Sequence, residues 1–138
     1  MAESPGQNRK SIGIEVSSSV LNRLQLVGHL VVAVAVPGLV HQETKRVAFS
    51  ASIPSHSEVD LARGIFEATG LATTIENDAN AAAYGEFRLG AGRSSSHLFY
   101  ATLGDGVGGA FIFNGEIWHG KSGFAGEFGY VAINSEGM

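Results

Sequence analysis

The sequence predicts an α/β protein, and three observations carry that reading. Apolar runs of strand period alternate with segments of helical period up to about residue 91. From residue 97 onward the pattern changes to short strands joined by glycine-containing turns. The composition, 44% hydrophobic and 16% charged, supplies enough apolar matter for a core and excludes a disordered tail. At 138 residues, one domain is expected.

In chain order, residues 1–10 read as a flexible lead. Ser11 to Val16 reads as a strand with Ile12, Ile14 and Val16 on one face, broken by Ser17–Ser19. Val20 to Val27 reads as a second strand and Gly28-His29 as a turn. Leu30 to Val36 is apolar on both faces, which predicts a central strand covered by helices on both sides and ended by Pro37-Gly38. Residues 41–56 are polar and read as irregular. Ser57-Glu58-Val59-Asp60 predicts a helix start with a serine cap. Val59, Ala62, Ile65, Phe66 and Thr69 form its inner face, and Gly70 its C-terminal stop. Leu71 to Glu76 reads as a strand and Asn77 to Ala91 as a helix.

Beyond the Gly92–Ser96 loop, His97 to Leu103 predicts a strand, Gly104 to Gly109 a glycine loop, and Ala110 to Phe113 another strand. Asn114-Gly115 is a strong hairpin signal, with Glu116 to His119 as the return. Phe128 to Ile133 reads as a last strand. The change of style near 92–97 suggests a first α/β lobe over 11–92 and the start of a second over 93–138.

Composition narrows the function classes. Residues 1–70 hold six Lys+Arg against six Asp+Glu, whereas 71–138 hold three against seven and carry the whole net charge of -4. No basic patch tracks a phosphate backbone, so nucleic-acid binding by this chain is not expected. The longest apolar run, Leu30 to Val36, is far short of the ~20 residues of a membrane span. The first ten residues contain no hydrophobic signal segment, and a cytoplasmic location is the expectation. With no cysteine, disulfides and thiolate metal sites are excluded. His29, His41, His56, His97 and His119 show no metal-ligand spacing, so each reads as solvent-facing or structural. Trp118 reads as a core or lobe contact.

Glycine is in surplus: 19 of 138 residues, ten of them from Gly104 to Gly137, against a usual ~7%. Gly104, Gly106 and Gly109 fit G-x-G-x-x-G, but a hairpin follows instead of a helix, so a dinucleotide fingerprint fails on context. The loop reads instead as a nest of amide N–H groups for a phosphate, or as a hairpin that binds nothing. Glu76-Asn77-Asp78-Ala79-Asn80 sits where a strand ends and a helix begins, the usual place for a ligand in an α/β sheet. Asp78 there is a candidate general base; Asn and Asp are equally the commonest helix caps. Glu127, between Gly126 and Phe128-Gly129, is a candidate for binding paired sugar hydroxyls, or a surface loop acid.

Three stretches together resemble the ROK family of bacterial sugar kinases, glucokinases among them, and sugar-responsive repressors. They are Thr74 to Glu86 (TIENDANAAAYGE), Thr102 to Gly109 (TLGDGVGG) and Gly120 to Gly129 (GKSGFAGEFG). Val36-Pro37-Gly38 and Ile12-Gly13-Ile14-Glu15 match more weakly. The resemblance implies an actin-like, ribonuclease-H-like ATPase lobe, incomplete here, followed by the first hairpins of a second lobe. It implies Asp78 as the catalytic base, and Asn77 and Glu127 as sugar ligands. Thr102, Gly104, Asp105, Gly106 and Gly108 would bind ATP phosphates, with Mg2+ as cofactor and no zinc.

This chain departs from the family pattern in five ways. Glu15-Val16-Ser17-Ser18-Ser19-Val20 stands where the kinases have Asp-x-Gly-Gly-Thr-Lys. Asp105 replaces a usual Thr or Ser; two unit charges at ~4 Å and effective dielectric ~20 repel by about 4 kcal/mol, so it opposes a phosphate unless it faces away or holds a cation. Tyr130 replaces a His, and the Cys-rich zinc segment is absent. Only fourteen residues separate Glu15 from Leu30, where complete members have further elements. The expected function is ATP-dependent phosphorylation of a hexose. A non-catalytic sugar-sensing module and an inactive shortened chain are the alternatives, and exposed apolar surface predicts a homo-oligomer.

Overall fold

The structure, a computed structural model, describes residues 31–55 and 59–134. The expected lead, the strands over 11–16 and 20–27, the turn at Gly28-His29 and the Ser57 cap lie outside those residues. Among the described residues no helix is long and apolar enough to cross a membrane.

The fold is α/β. Strand β1 (Val31–Val36) is followed by a short hairpin, β2 (Leu39–Val40) and β3 (Val47–Phe49), then by helix α1 (Leu61–Thr69). Strand β4 (Ala72–Asn77) runs straight into helix α2 (Asp78–Leu89). A three-stranded antiparallel sheet closes the order: β5 (Leu98–Leu103), β6 (Val107–Phe113) and β7 (Glu116–Ile117). A 3-10 turn at Phe128–Tyr130 follows.

β1 and β4 pair in parallel from Val31↔Ala72 to Val36↔Asn77, with β2, β3 and α1 forming the long crossover that parallel neighbours need. The first core lies beneath this pair, where Val36, Val40, Val47, Leu61 and Ile75 are buried. Burying a side chain such as Ile75 contributes ~1.5–3 kcal/mol. Among the described residues β1 pairs only with β4, and Val31 is 69% exposed. The expected cover on both faces is therefore not found there.

Helix α1 starts at Asp60, whose carboxylate accepts from the Arg63 backbone N–H at 3.1 Å and pairs with Arg46 at 2.7 Å. Asp60, three residues beyond Ser57, is the cap. Gly70 closes the helix at φ 71, as its place after the apolar stripe predicts. The buried face is led by Leu61, while Phe66 points outward at 53% exposure.

Three further expectations change. The 41–56 stretch contains the turn and second strand of the β2–β3 hairpin, with Lys45 in the turn at φ 53. The glycine loop shrinks to residues 104–106, because Gly108 and Gly109 sit inside β6, opposite Thr102 and Ala101. Finally, 128–133 forms a 3-10 turn and bends in place of a strand. There Phe128 N–H donates to the Gly126 carbonyl at 2.8 Å and Val131 N–H to the Phe128 carbonyl at 3.1 Å, folding the chain back on itself. Asn114-Gly115 does turn the hairpin, both residues having positive φ.

Helix α2 lays Ala83 and Phe87 on one face of the antiparallel sheet, against Ala110, Ile112, Leu98 and Tyr100. The other face is aromatic: Phe99, Phe111 and Phe113 stack along it. Trp118 meets Phe113 edge-on at 6.0 Å yet is 55% exposed, so it is a surface contact, not a core residue.

Candidate functional site

Parallel pairing brings the C-terminal ends of β1 and β4 to one edge, where Pro37-Gly38 and Asn77-Asp78 emerge side by side. Asn77 is the N-cap of α2: its Oδ1 accepts from the Asn80 backbone N–H at 3.0 Å. Its Nδ2 donates to the Gly38 carbonyl, also at 3.0 Å. Gly38 permits this approach, with φ 130 and no room for a Cβ beside the Phe49 carbonyl. Asp78 occupies the first helical position, where its Oδ1 accepts from the Ala79 N–H at 2.9 Å. It is exposed, and the α2 N-terminus favours its negative charge.

Glu127 arrives from the far end of the sequence by backbone packing. A Cβ on Gly129 would strike the Val107 carbonyl, one on Gly109 the Phe128 ring, and one on Gly126 the Gly109 carbonyl. Gly126 also needs φ 93. These glycines press the 126–130 segment onto β6, and so set Glu127 opposite Asp78. Partial burial raises the Glu127 pKa, and the neighbouring Asp78 carboxylate raises it further.

Asn77, Asp78, Glu127, Gly106 and Gly108 line one cleft of about 270 Å³, with Gly38, Phe49, Gly129 and Tyr130 among the other walls. Five of the eight residues singled out in the sequence thus meet in one place. Thr102 stands behind the wall: its Oγ1 accepts from the Gly108 N–H at 3.1 Å. Gly104 and Asp105 are exposed at the hairpin tip, outside the lining, where Gly104 N–H bonds to the Gly106 carbonyl at 3.0 Å. Among the described residues, no Lys or Arg lines the cleft.

Sequence reasoning missed a polar network directly behind it. His119 Nε2 lies 2.8 Å from Glu76 Oε2, while Glu76 Oε1 accepts from Asn77 N–H and Asn80 Nδ2, each at 3.0 Å. Burial pushes the Glu76 pKa up, but the Asn80, His119 and Asn77 donors prevail and hold it below its ordinary value. Glu76 and His119 are 43 residues apart, and no local spacing signals that pairing.

The model describing the ROK family matches residues 7–138. The chain belongs to the ROK family. Among its ROK relatives is the glucokinase of Streptomyces coelicolor, 36% identical over 114 residues, covering 81% of this chain and 36% of that protein. The xylose repressor of Bacillus subtilis is 34% identical over 110 residues, covering 80% of this chain and 28% of the repressor. Among solved structures, the ROK glucokinase of Streptomyces griseus in complex with glucose and AMPPNP superposes with a TM-score of 0.68. It is 31% identical, covering 87% of this chain and 41% of that one. A ROK transcriptional regulator, a homologue of the E. coli MLC protein, gives 0.67 at 25% identity, covering 87% of this chain and 31% of the regulator. The family thus includes both kinases and regulators, and this chain spans well under half the length of these ROK proteins.

Proposed function

We propose that the cleft binds a hexose and that Asp78 acts as general base in transfer of a phosphoryl group from ATP to a sugar hydroxyl. One observation carries the reading. Capping of α2 falls to Asn77, which leaves the neighbouring Asp78 carboxylate exposed in the cleft beside Glu127. The volume, near the lower end of the ~300–1,000 Å³ of ligand pockets, suits a monosaccharide. Two carboxylates, with no Lys or Arg among the described residues of the lining, favour a neutral polyol. The glucokinase relatives, one of them with glucose and AMPPNP bound, support the same choice.

In the reaction, the attacking hydroxyl gives its proton to Asp78 as its oxygen bonds to the γ-phosphorus. The bond from that phosphorus to the β,γ-bridging oxygen breaks, and ADP leaves with the electron pair. Glu127 and the remaining N–H of Asn77 hold neighbouring hydroxyls. The backbone around Gly106, where nothing crowds the Cα, is open to phosphate oxygens. Among the described residues no group of three or more His, Cys, Asp or Glu gathers as a metal cage. Mg2+ typically takes one or two carboxylates plus substrate phosphates; Asp105, at the hairpin tip, would hold it. When bound, Mg2+ supplies charge neutralisation at the phosphates.

A sugar-sensing role without phosphoryl transfer is the second reading, favoured by the lack of a basic residue among the described residues of the lining. Calorimetry with glucose and then with MgATP separates them. Heat from both, with ADP release, supports the kinase. Heat from glucose alone supports the sensor, and no heat from either contradicts both.

A further inference from the structure

We propose that His119 is a positioning residue: bound to Glu76, it holds the β4–α2 junction, and with it Asp78 and Asn77, in place against the cleft. The inference rests on the proposed sugar site, and adds to it a residue outside the cleft lining.

The hydrogen bonds leave little freedom in how the protons are arranged. Lys45 Nζ is only a donor, and it bonds to Gln42 Oε1. Gln42 therefore turns its Nε2 toward His119 Nδ1, 3.2 Å away, and Nδ1 accepts. The proton of a neutral imidazole then sits on Nε2, which donates to Glu76 Oε2 at 2.8 Å. The other Glu76 oxygen takes the Asn77 N–H and the Asn80 Nδ2. Asn77 in turn caps α2 and ties it to Gly38. Each link has one direction, and the chain ends at the residue preceding Asp78.

Its components come from three places in the sequence: the β2–β3 turn, the β4–α2 junction, and the segment after β7. The last is docked so closely on the first that a Cβ on Gly123 would strike the Val40 carbonyl. His119 and Glu76 side chains are 18% and 21% exposed, so water competes poorly for their bond. Without the His119 donor, Glu76 would keep a carboxylate oxygen turned toward a half-buried space, and would relax by rotating away from Asn77 and Asn80.

The test compares His119→Ala and His119→Gln in the full chain. A glutamine amide offers an NH2 donor group and a carbonyl acceptor in place of the donor and acceptor nitrogens of the imidazole, so it should rescue. Amide hydrogen exchange by NMR reads the junction directly, and glucose-dependent ADP release reads the site. Exchange at the Asn77 and Asn80 amides should quicken at least tenfold in H119A and return to within about threefold of wild type in H119Q. Turnover should fall at least tenfold in H119A, with the KM for glucose changing less than kcat, and recover in H119Q. Unchanged exchange in H119A overturns the proposal, as does equal loss in both variants when both are folded. A wild type without turnover refutes the kinase reading only, because the exchange measurement stands without it.

Discussion

Asn77 donates from Nδ2 to the Gly38 carbonyl across 3.0 Å while its Oδ1 caps α2. One side chain therefore ties together the C-terminal ends of two parallel strands and the start of the helix between the two cores. Its neighbour Asp78 makes only a local bond to Ala79 among the described residues. Of these adjacent residues, Asn77 is bound into the framework, whereas Asp78 is left exposed at the cleft.

That separation is measurable in stability. Asn77→Ala removes a cap worth ~1 kcal/mol and a hydrogen bond worth ~1 kcal/mol net, so urea denaturation should show a loss of about 2 kcal/mol. Asp78→Asn should stay within ~0.5 kcal/mol of wild type, as expected of an exposed side chain outside the fold's framework.

Glu127 should cost stability where it is ionised. Its folded pKa is raised by burial and by Asp78, so the folded state holds the proton more tightly than the unfolded state. The associated stability is present below the ordinary carboxylate value and is lost as pH rises through the raised one. Glu127→Gln should therefore raise the Tm at pH 7, with the difference closing at pH 4, while glucose affinity falls. Thermal melts at both pH values and glucose titration check the two halves of the statement.

Glu76 has the opposite sign. Its folded pKa is lowered, so its contribution is full above the ordinary carboxylate value and disappears as pH falls through the lowered one. Acid unfolding should begin below about pH 4.5, and Glu76→Gln should flatten the dependence of stability on pH in that range. Chemical denaturation from pH 7 to pH 3 reads the slope.

Gly126→Ala should cost more than ~1 kcal/mol, since an alanine would be forced to φ 93 with its Cβ against the Gly109 carbonyl. Glu127 would be displaced with it, so glucose binding should weaken in parallel with the loss in urea midpoint. Gly104→Ala, with open space around the Cα, is the control that should leave the midpoint nearly unchanged.

Where a single segment carried its own signal, the sequence was a good guide. Asn114-Gly115 announced its turn, Gly70 its helix end, and the N-terminal Asn/Asp of α2 its start. The failures came where a distant contact decided the outcome. Gly108 and Gly109 have the composition of a loop, yet Phe128 packs where a Cβ of Gly109 would stand, and this contact keeps them in a strand. The 128–133 stretch alternates like a strand, but Gly126 and Gly129 fold it against β6. The β2–β3 hairpin escaped notice because its turn is built on Lys45, a residue type with no turn preference. The glycine surplus has acquired a different meaning as well. Gly109, Gly126 and Gly129 serve close packing of protein on protein, and through it the placement of Glu127. Of the site, the motif residues were visible; the Glu76–His119 support was not, because its halves are far apart in the chain.

In the proposed reaction Asp78 takes the proton of a sugar hydroxyl during phosphoryl transfer. Glucose-dependent release of ADP by the wild type and by Asp78→Asn, measured side by side at saturating MgATP, tests it most directly. The wild type should turn over and the variant should be slower by ~10²–10⁴-fold, with glucose still bound. Equal turnover in the two proteins would contradict it.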